Sequence, residues 1–430
     1  MKISKEFYEN NRKKFADLME NGSAFVIYSG SAPVMRGDRF YDYSPQRNFL
    51  YLTGIDKPGL ALMITKNIKG ETMSRIYLQR YDESAAKWGG SALTAEKAKE
   101  LSGIEQAAYI DDLIMEGDGR VVGVASAFVR GRAKTLYLDL ENRSLTAPNT
   151  PDLDLAKLVG EKFPAVKIVD AHPLLGGLRL VKDAAEVPMM QKAVDVTGEA
   201  FNALLDNAKP GMFEYELEAH IDYVFKKNNC RRGFDVIMAS GVNGTILHYH
   251  DNNCKIEDGD LVLVDYGADC GWYSADITRT FPINGKFTDR QKQLYNIVLD
   301  GMKMIIDMIK PGVKFSSLNE ELKKYYAKEL KAIGLIDKDE DVVKYFYHGV
   351  SHMLGLEVHD VGAGSTSTDG ELLIVPGMYI TVEPGLYVAE EKIGIRIEDD
   401  ILVTETGNQN LSKHIIKEVD EIEAYMANRK

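Results

Sequence analysis

Cysteine is scarce in this chain of 430 residues: Cys230, Cys254 and Cys270 are all it has, and no two stand in a CxxC spacing. An odd, scattered set builds neither a disulfide framework nor a thiolate zinc site, and is expected to persist as reduced thiols of a cytoplasmic protein. Positive charge is also in deficit, with 52 Lys and Arg against 65 Asp and Glu, a formal charge of −13. That balance argues against a general nucleic-acid or anionic-membrane binder, whose electrostatic footprint would be basic. Long apolar runs are missing, and none approaches the roughly 18 residues that would suggest a membrane span. The opening MKISKEFYENNRKKF lacks the apolar core of a secretory signal. Tryptophan occurs twice, and Trp88, in KWGG, reads more readily as a buried anchor than as a subunit contact. What is present is an ordinary globular composition, 45% hydrophobic and 27% charged, on a chain long enough for two or three domains.

The chain reads as two parts, 1–175 and 176–430. In the first, Ala24-Phe25-Val26-Ile27-Tyr28, Leu60 to Ile64, Ser74 to Leu78 and Thr135 to Leu138 are strand-like, with a short helical piece from Thr94 to Leu101. Strands alternating with helices predict an α/β domain with a largely parallel or mixed sheet. Its one histidine, His172, stands at its end, and no catalytic cluster is evident. Ala171 to Gly177, with Pro173 and two glycines, reads as a linker.

From Arg179 the pattern changes and then repeats. Helical periodicity from about Asp183 to Asn207 is closed by Lys209-Pro210-Gly211, and a second helix spans Phe213 to Lys227, with Leu217, Ile221, Val224 and Phe225 on one face. Strand-like Val236-Ile237-Met238 and Leu261 to Val264 follow. Thr288 to Gln291 is a capping box opening another helix, which ends at Lys310-Pro311-Gly312; Ser317 with Glu320 reads as a second capping box, starting a helix to about Ile333. Gly259, Asp265 and Gly267 recur at a constant offset of 118 as Gly377, Glu383 and Gly385, and Asp276 matches Glu398 after four extra residues. Two copies suit two half-units packed about a pseudo-twofold, with their carboxylates meeting at the centre.

Asp265 and Asp276 taken alone could be solvated turn residues beside Gly267 and Gly271. The repeat makes Asp265, Asp276, Glu383 and Glu398 equivalent in pairs, and His348, His352 and His359 lie between the copies in HGVSHMLGLEVHD. Close carboxylates repel unless a cation or a proton intervenes. Four carboxylates and an imidazole are mostly hard donors, suited to two divalent ions; manganese fits best, with cobalt, zinc or iron as alternatives. His348 and His352 are four apart as in HExxH, but Gly349 replaces the required Glu, so a zincin is excluded. His248 and His250, in LHYHD, could be plain loop residues, and Asp399 and Asp400 are expected to be solvated charges.

These blocks together resemble the aminopeptidase P family, the Xaa-Pro aminopeptidase branch of the metallopeptidases that share the pita-bread fold with methionine aminopeptidase and prolidase. ILHYH, VDYGADCGWYSADITRTFP, HGVSHMLGLEVHD, TVEPGLY and GIRIEDD are similar to the family's signature blocks and stand in its order, and MRGDRFYDYSPQRNFLYLTGID is similar to a segment of its N-domain. The resemblance covers nearly the whole chain. It implies a creatinase-like N-terminal domain with a mixed sheet, followed by a pita-bread catalytic domain, an α+β and α/β combination.

It also implies that Asp265, Asp276, His352, Glu383 and Glu398 hold two metal ions. Asp276 and Glu398 would be shared, Asp265 would serve one ion, and His352 with Glu383 the other. His248 and His359 would hold the substrate carbonyl and stabilise the tetrahedral intermediate, and His348 and Arg396 would line the site near the proline. A hydroxide bridging the ions would attack the scissile carbonyl, with Glu383 passing a proton to the proline nitrogen. Such a nucleophile suits an Xaa-Pro bond, a tertiary amide without an N–H. Expected partners are peptides with proline in second position, and further copies of the chain in a homodimer or homotetramer. The rivals are prolidase, restricted to dipeptides, a minimal methionine aminopeptidase, which the large N-domain disfavours, and a non-catalytic pita-bread scaffold, which the five competent ligand positions disfavour.

Overall fold

Ile3–Arg179 forms one unit and a second begins at Leu180, in a computed structural model that describes residues 3–114, 123–129, 132–142, 144–361 and 371–429. In the first unit the apolar runs become a six-stranded sheet in the order Gln106–Tyr109, Thr72–Leu78, Ala61–Lys66, Ser23–Tyr28, Thr135–Leu138 and Lys167–Asp170. Ser23–Tyr28 runs antiparallel to Ala61–Lys66, with Phe25 opposite Ile64, and parallel to Thr135–Leu138, with Phe25 opposite Tyr137. The sheet is therefore mixed. Its central strands are buried throughout or nearly so, which is why they read as continuous apolar runs. Val26, Met63, Leu136 and Leu138 lie in its core, each such side chain stabilising the fold by roughly 1.5–3 kcal/mol. The edge strands Gln106–Tyr109 and Lys167–Asp170 are half exposed and carry no apolar run, so the sequence pattern did not reveal them.

Two expectations fail in this unit. The stretch read as a linker is the start of the helix His172–Leu180. Pro173 falls in its first turn, where a fixed φ and a missing N–H cost nothing. Trp88 is no buried anchor: it is 92% exposed on the helix Glu83–Gly89.

In the second unit the helices Val187–Asn207 and Glu214–Lys227 precede a sheet of Ile237–Ser240, Leu261–Tyr266 and Ile277–Pro282. The helices Asp289–Met308 and Phe315–Ala332 precede a second three-stranded sheet of Tyr379–Val382, Asp399–Val403 and Asn408–Asn410. The duplicated order is thus real in three dimensions. Gly259 and Gly377 enter equivalent strands with φ of +89° and +85°, a region that costs L-residues with a side chain 1–2 kcal/mol or so. The halves meet directly, with Glu398 N donating to Thr278 O at 3.0 Å and Thr280 Oγ1 to Arg396 O at 3.0 Å. No described helix is long and apolar enough to cross a membrane.

The Thr288 capping box is formed as read, with Gln291 as its partner. The second one is not. The helix Phe315–Ala332 starts earlier, behind Lys314, and Ser317 Oγ donates to the Lys314 carbonyl from within the first turn. The thiol expectation is also corrected, because Cys230 and Cys270 form a disulfide. Strand Arg231–Arg232 pairs with Ala268–Cys270, Arg231 opposite Asp269, so the two cysteines fall next to each other across the strands with Cα atoms 4.6 Å apart. A separation of 40 residues hid this neighbourhood. Cys254 is exposed and free.

Candidate metal centre

The four acids stand at strand ends on the line where the halves meet. Asp265 lies in Leu261–Tyr266, opposite Thr278, and Asp276 directly precedes Ile277–Pro282. In the second half Val382 pairs with Asp399, so Glu383 and Glu398 occupy the next positions of the same two strands. His352 arrives on a segment laid beside Tyr379–Val382, fixed by Thr381 N to His352 O at 3.0 Å and Glu383 N to Val350 O at 2.9 Å. All five line one cavity of about 340 Å³, together with His248, His348, His359 and Arg396. His250, two residues from His248, is exposed and outside that lining.

Ligand atoms of Asp276, His352 and Glu398 all lie within 4.8 Å of one another. His352 Nε2 is 3.3 Å from Asp276 Oδ2 and 3.6 Å from Glu383 Oε1. Its Nδ1 is 3.0 Å from the Met353 carbonyl, which can only accept, so Nδ1 carries a proton. In the neutral ring Nε2 then turns a lone pair towards two carboxylates, an arrangement that a cation between them would satisfy. Asp265 adds a buried Oδ1 that has no hydrogen-bond partner. The donor set therefore fits divalent ions.

The electrostatics lead to the same place. Burial, reinforced by Asp265 and further neighbouring carboxylates, pushes Asp276 well above the usual carboxylate range, and burial with Asp276 and Glu383 does the same to Glu398. Burial also raises Glu383 to about 7, against the pull of His352 and Arg396. Arg396 Nη2 donates to Asp265 Oδ2 at 2.7 Å, and one guanidinium does not neutralise four acids.

Asp399 and Asp400 are not solvated. Both are fully buried, because their strand is covered on both faces. Asp399 pairs with Arg279 Nη2 at 2.7 Å and Lys417 Nζ at 2.9 Å. Asp400 Oδ2 accepts from Asp276 N at 3.2 Å and Tyr379 Oη at 2.8 Å, and so braces a ligand position.

Two polar residues of the site were not singled out in advance. Thr278 Oγ1 donates to Glu398 Oε2 at 2.7 Å and accepts from Arg396 Nε at 3.0 Å. Tyr387 Oη accepts from Arg396 Nη1 at 3.0 Å and lies 2.8 Å from His348 Nε2. Because His348 Nδ1 must donate to the Gly349 carbonyl at 2.7 Å, the Tyr387 hydroxyl donates to Nε2. Burial and the Arg396 charge push His348 down to about 3, consistent with that neutral ring. Both residues sit inside quoted blocks, DITRTF and EPGLY, yet nothing in a Thr or a Tyr by itself announces a link between two site residues.

The sequence profile of metallopeptidase family M24 matches residues 188–405, and that of the aminopeptidase P N-terminal domain matches residues 8–116. The chain is 32% identical over 452 positions to an Xaa-Pro aminopeptidase of Escherichia coli K12, covering 99% of this chain and 98% of that one. It is 33% identical over 446 positions to an Xaa-Pro aminopeptidase of Haemophilus influenzae, with the same two coverages. Among solved structures, zinc-substituted E. coli aminopeptidase P in complex with product is similar at a TM-score of 0.89 and 32% identity, each chain covered completely.

Proposed function

This chain belongs to metallopeptidase family M24, and from that premise we infer a metal-dependent aminopeptidase that hydrolyses the bond between a peptide's first residue and a proline in second position. The observation that carries the reading is the His352 ring, proton committed to a backbone carbonyl and lone pair facing Asp276 and Glu383, inside a four-acid cavity.

We propose that Asp265, Asp276, His352, Glu383 and Glu398 hold two divalent ions, Asp276 and Glu398 serving both. Manganese suits four carboxylates and one imidazole best. Such a pair, when bound, polarises a carbonyl and makes water a nucleophile near neutral pH. The chain's own residues supply the rest. The free α-amino group of a peptide docks against carboxylates of the cluster, which confines cleavage to the first residue. His248 and His359 donate to the scissile carbonyl oxygen as charge gathers on it. Glu383 takes up a proton on its carboxylate and delivers it to the proline nitrogen, which must be protonated to leave. His348 and Arg396, tied together through Tyr387, form the wall on the proline side. None of these roles needs an N–H on the scissile nitrogen, which a proline lacks.

A homodimer or homotetramer is part of the reading, supported by the exposure of Val34, Phe40, Tyr81 and Trp88 in the N-terminal unit. We also propose a cytoplasmic location, for which the Cys230–Cys270 bond withdraws the thiol argument.

The test is hydrolysis by manganese-loaded and chelator-treated protein of Ala-Pro-Ala-Ala, Ala-Ala-Ala-Ala and the dipeptide Ala-Pro. Release of alanine from the first peptide alone, only with metal, is expected. Cleavage of the dipeptide alone would make the protein a prolidase, and inactivity with bound manganese would make it a scaffold.

A further inference from the structure

We infer that Glu214, the first residue of the helix Glu214–Lys227, is the positioning residue for His248; the inference rests on the peptidase reading above. Glu214 is wholly buried and lies outside the cavity lining. Its Oε1 accepts from Ser240 N at 2.8 Å, Ser240 Oγ at 2.7 Å and Asn243 Nδ2 at 3.1 Å. Its Oε2 accepts from Tyr249 Oη at 2.8 Å and Cys254 N at 2.9 Å. One side chain thus gathers five donors from both ends of the excursion 240–254 and from its interior.

His248 lies inside that excursion. Its neighbour Tyr249 sends its ring into a core with Ile237, Ala239 and Leu263 and its hydroxyl to Glu214, and Leu247 packs against the same core. Leu247 also lines the cavity, so Tyr249 is the inward anchor of this segment, and the His248 side chain beside it stands on the cavity wall. The short helix Gly241–Thr245 in front of it lies against Ile393–Arg396 so closely that a Cβ on Gly394 would overlap the Gly244 carbonyl. The excursion is thus held by this contact on one side and by Glu214, which gathers its ends and its interior, on the other.

A carboxylate suits this task and an amide does not. A glutamine could accept on one oxygen only, and would turn an NH₂ towards donors such as Cys254 N that cannot accept. The excursion would still close at its far end, where Asn252 binds Glu218 and the Val236 carbonyl independently of Glu214. The expected result of Glu214→Gln is thus a folded protein with a displaced His248. Misplacement of a carbonyl-binding group by about 1 Å costs about a hundredfold in rate.

The test is a double-mutant cycle of Glu214→Gln with His248→Ala in the manganese-loaded full chain, reading kcat and KM on Ala-Pro-Ala-Ala alongside bound manganese. Glu214→Gln should lower kcat/KM about 10- to 100-fold alone and less than about twofold in the His248→Ala background, with manganese content unchanged. Equal losses in both backgrounds, or loss of the metal, would overturn the assignment and leave Glu214 a plain structural residue. Tyr249→Phe removes one donor only; it should repeat the pattern more weakly, and it carries the cycle should Glu214→Gln not fold. A wild-type chain that cleaves nothing would overturn the peptidase reading instead. The positional claim then stands or falls on a crystal structure of the variant, where an unmoved His248 refutes it.

Discussion

Glu398 and Asp399 are consecutive, both wholly buried, and face opposite electrostatic worlds. On the Asp399 side, burial alone would raise the carboxyl, but Arg279, Lys417 and a hydrogen bond from Asn410 hold it below its usual range. On the Glu398 side, Asp276, Glu383 and Asp265 add acid to acid, and burial among them raises Glu398, Asp276 and Glu383. One strand therefore separates a cluster complete within the chain from one that is short of positive charge. The first ties the halves together through Arg279, which also donates to the carbonyls of Thr278, Glu398 and Ile415. The second holds protons or a cation to offset its acids. A deficit of cations confined to one cavity is the mark of a metal site, and its absence next door shows that burial of acids is not enough to make one.

The comparison can be broken from either side. Glu398→Gln removes a proposed metal donor and should lower kcat/KM on Ala-Pro-Ala-Ala by about a thousandfold or more, with most of the bound manganese lost in elemental analysis. A variant that keeps both metal and activity would remove Glu398 from the donor set. Arg279→Met leaves Asp399 with Lys417 as its one cation and unpairs the buried carbonyls of Thr278, Glu398 and Ile415; it should cost about 3–5 kcal/mol in denaturant unfolding, while metal stoichiometry in the folded fraction stays that of the wild type. Thr278→Val keeps the outline but deletes the link between Glu398 and Arg396; metal affinity or activity should fall about 10- to 100-fold, and the buried partners left unpaired should cost about 1–3 kcal/mol in denaturant unfolding.

pH sharpens the contrast, because the two clusters titrate with opposite sign. Glu383 is raised to about 7 from an ordinary 4.5, so the metal-free fold loses stability as pH rises from about 4.5 through about 7. Asp399 is lowered, so its contribution is present above an ordinary value near 3.8 and is lost as pH falls through its folded value. The Tm difference between manganese-loaded and chelated protein should therefore widen by a few degrees between pH 5 and pH 7.5. A gap independent of pH would mean that the cavity acids are already compensated without metal.

Much of this was readable before any coordinates, and the reasons differ from element to element. Central strands such as Leu261–Tyr266 announce themselves because burial on both faces leaves an apolar run, and the offset of 118 between Asp265 and Glu383 exposes the duplication. The acids could be paired in sequence because the copies preserve their places at strand ends. What stayed hidden depends on contacts between distant segments. A helix began in place of a linker at Pro173, the cysteine pair met across strands, and Asp399 and Asp400 looked like solvated charge beside Glu398. Glu214 was invisible for the same reason, since nothing about a helix-start glutamate reveals that five donors converge on it.

Each half of the duplicated unit supplies only two of the four acids, and His352 lies on a strip hydrogen-bonded to both halves, through Thr381 and Glu383 on one side and Ser274 on the other. No fragment with a single folded half can assemble the donor set, so assembly and competence arrive together. Truncated or half-folded copies of this chain would be silent rather than promiscuous, a safeguard for any cell that must not digest its own nascent peptides at random.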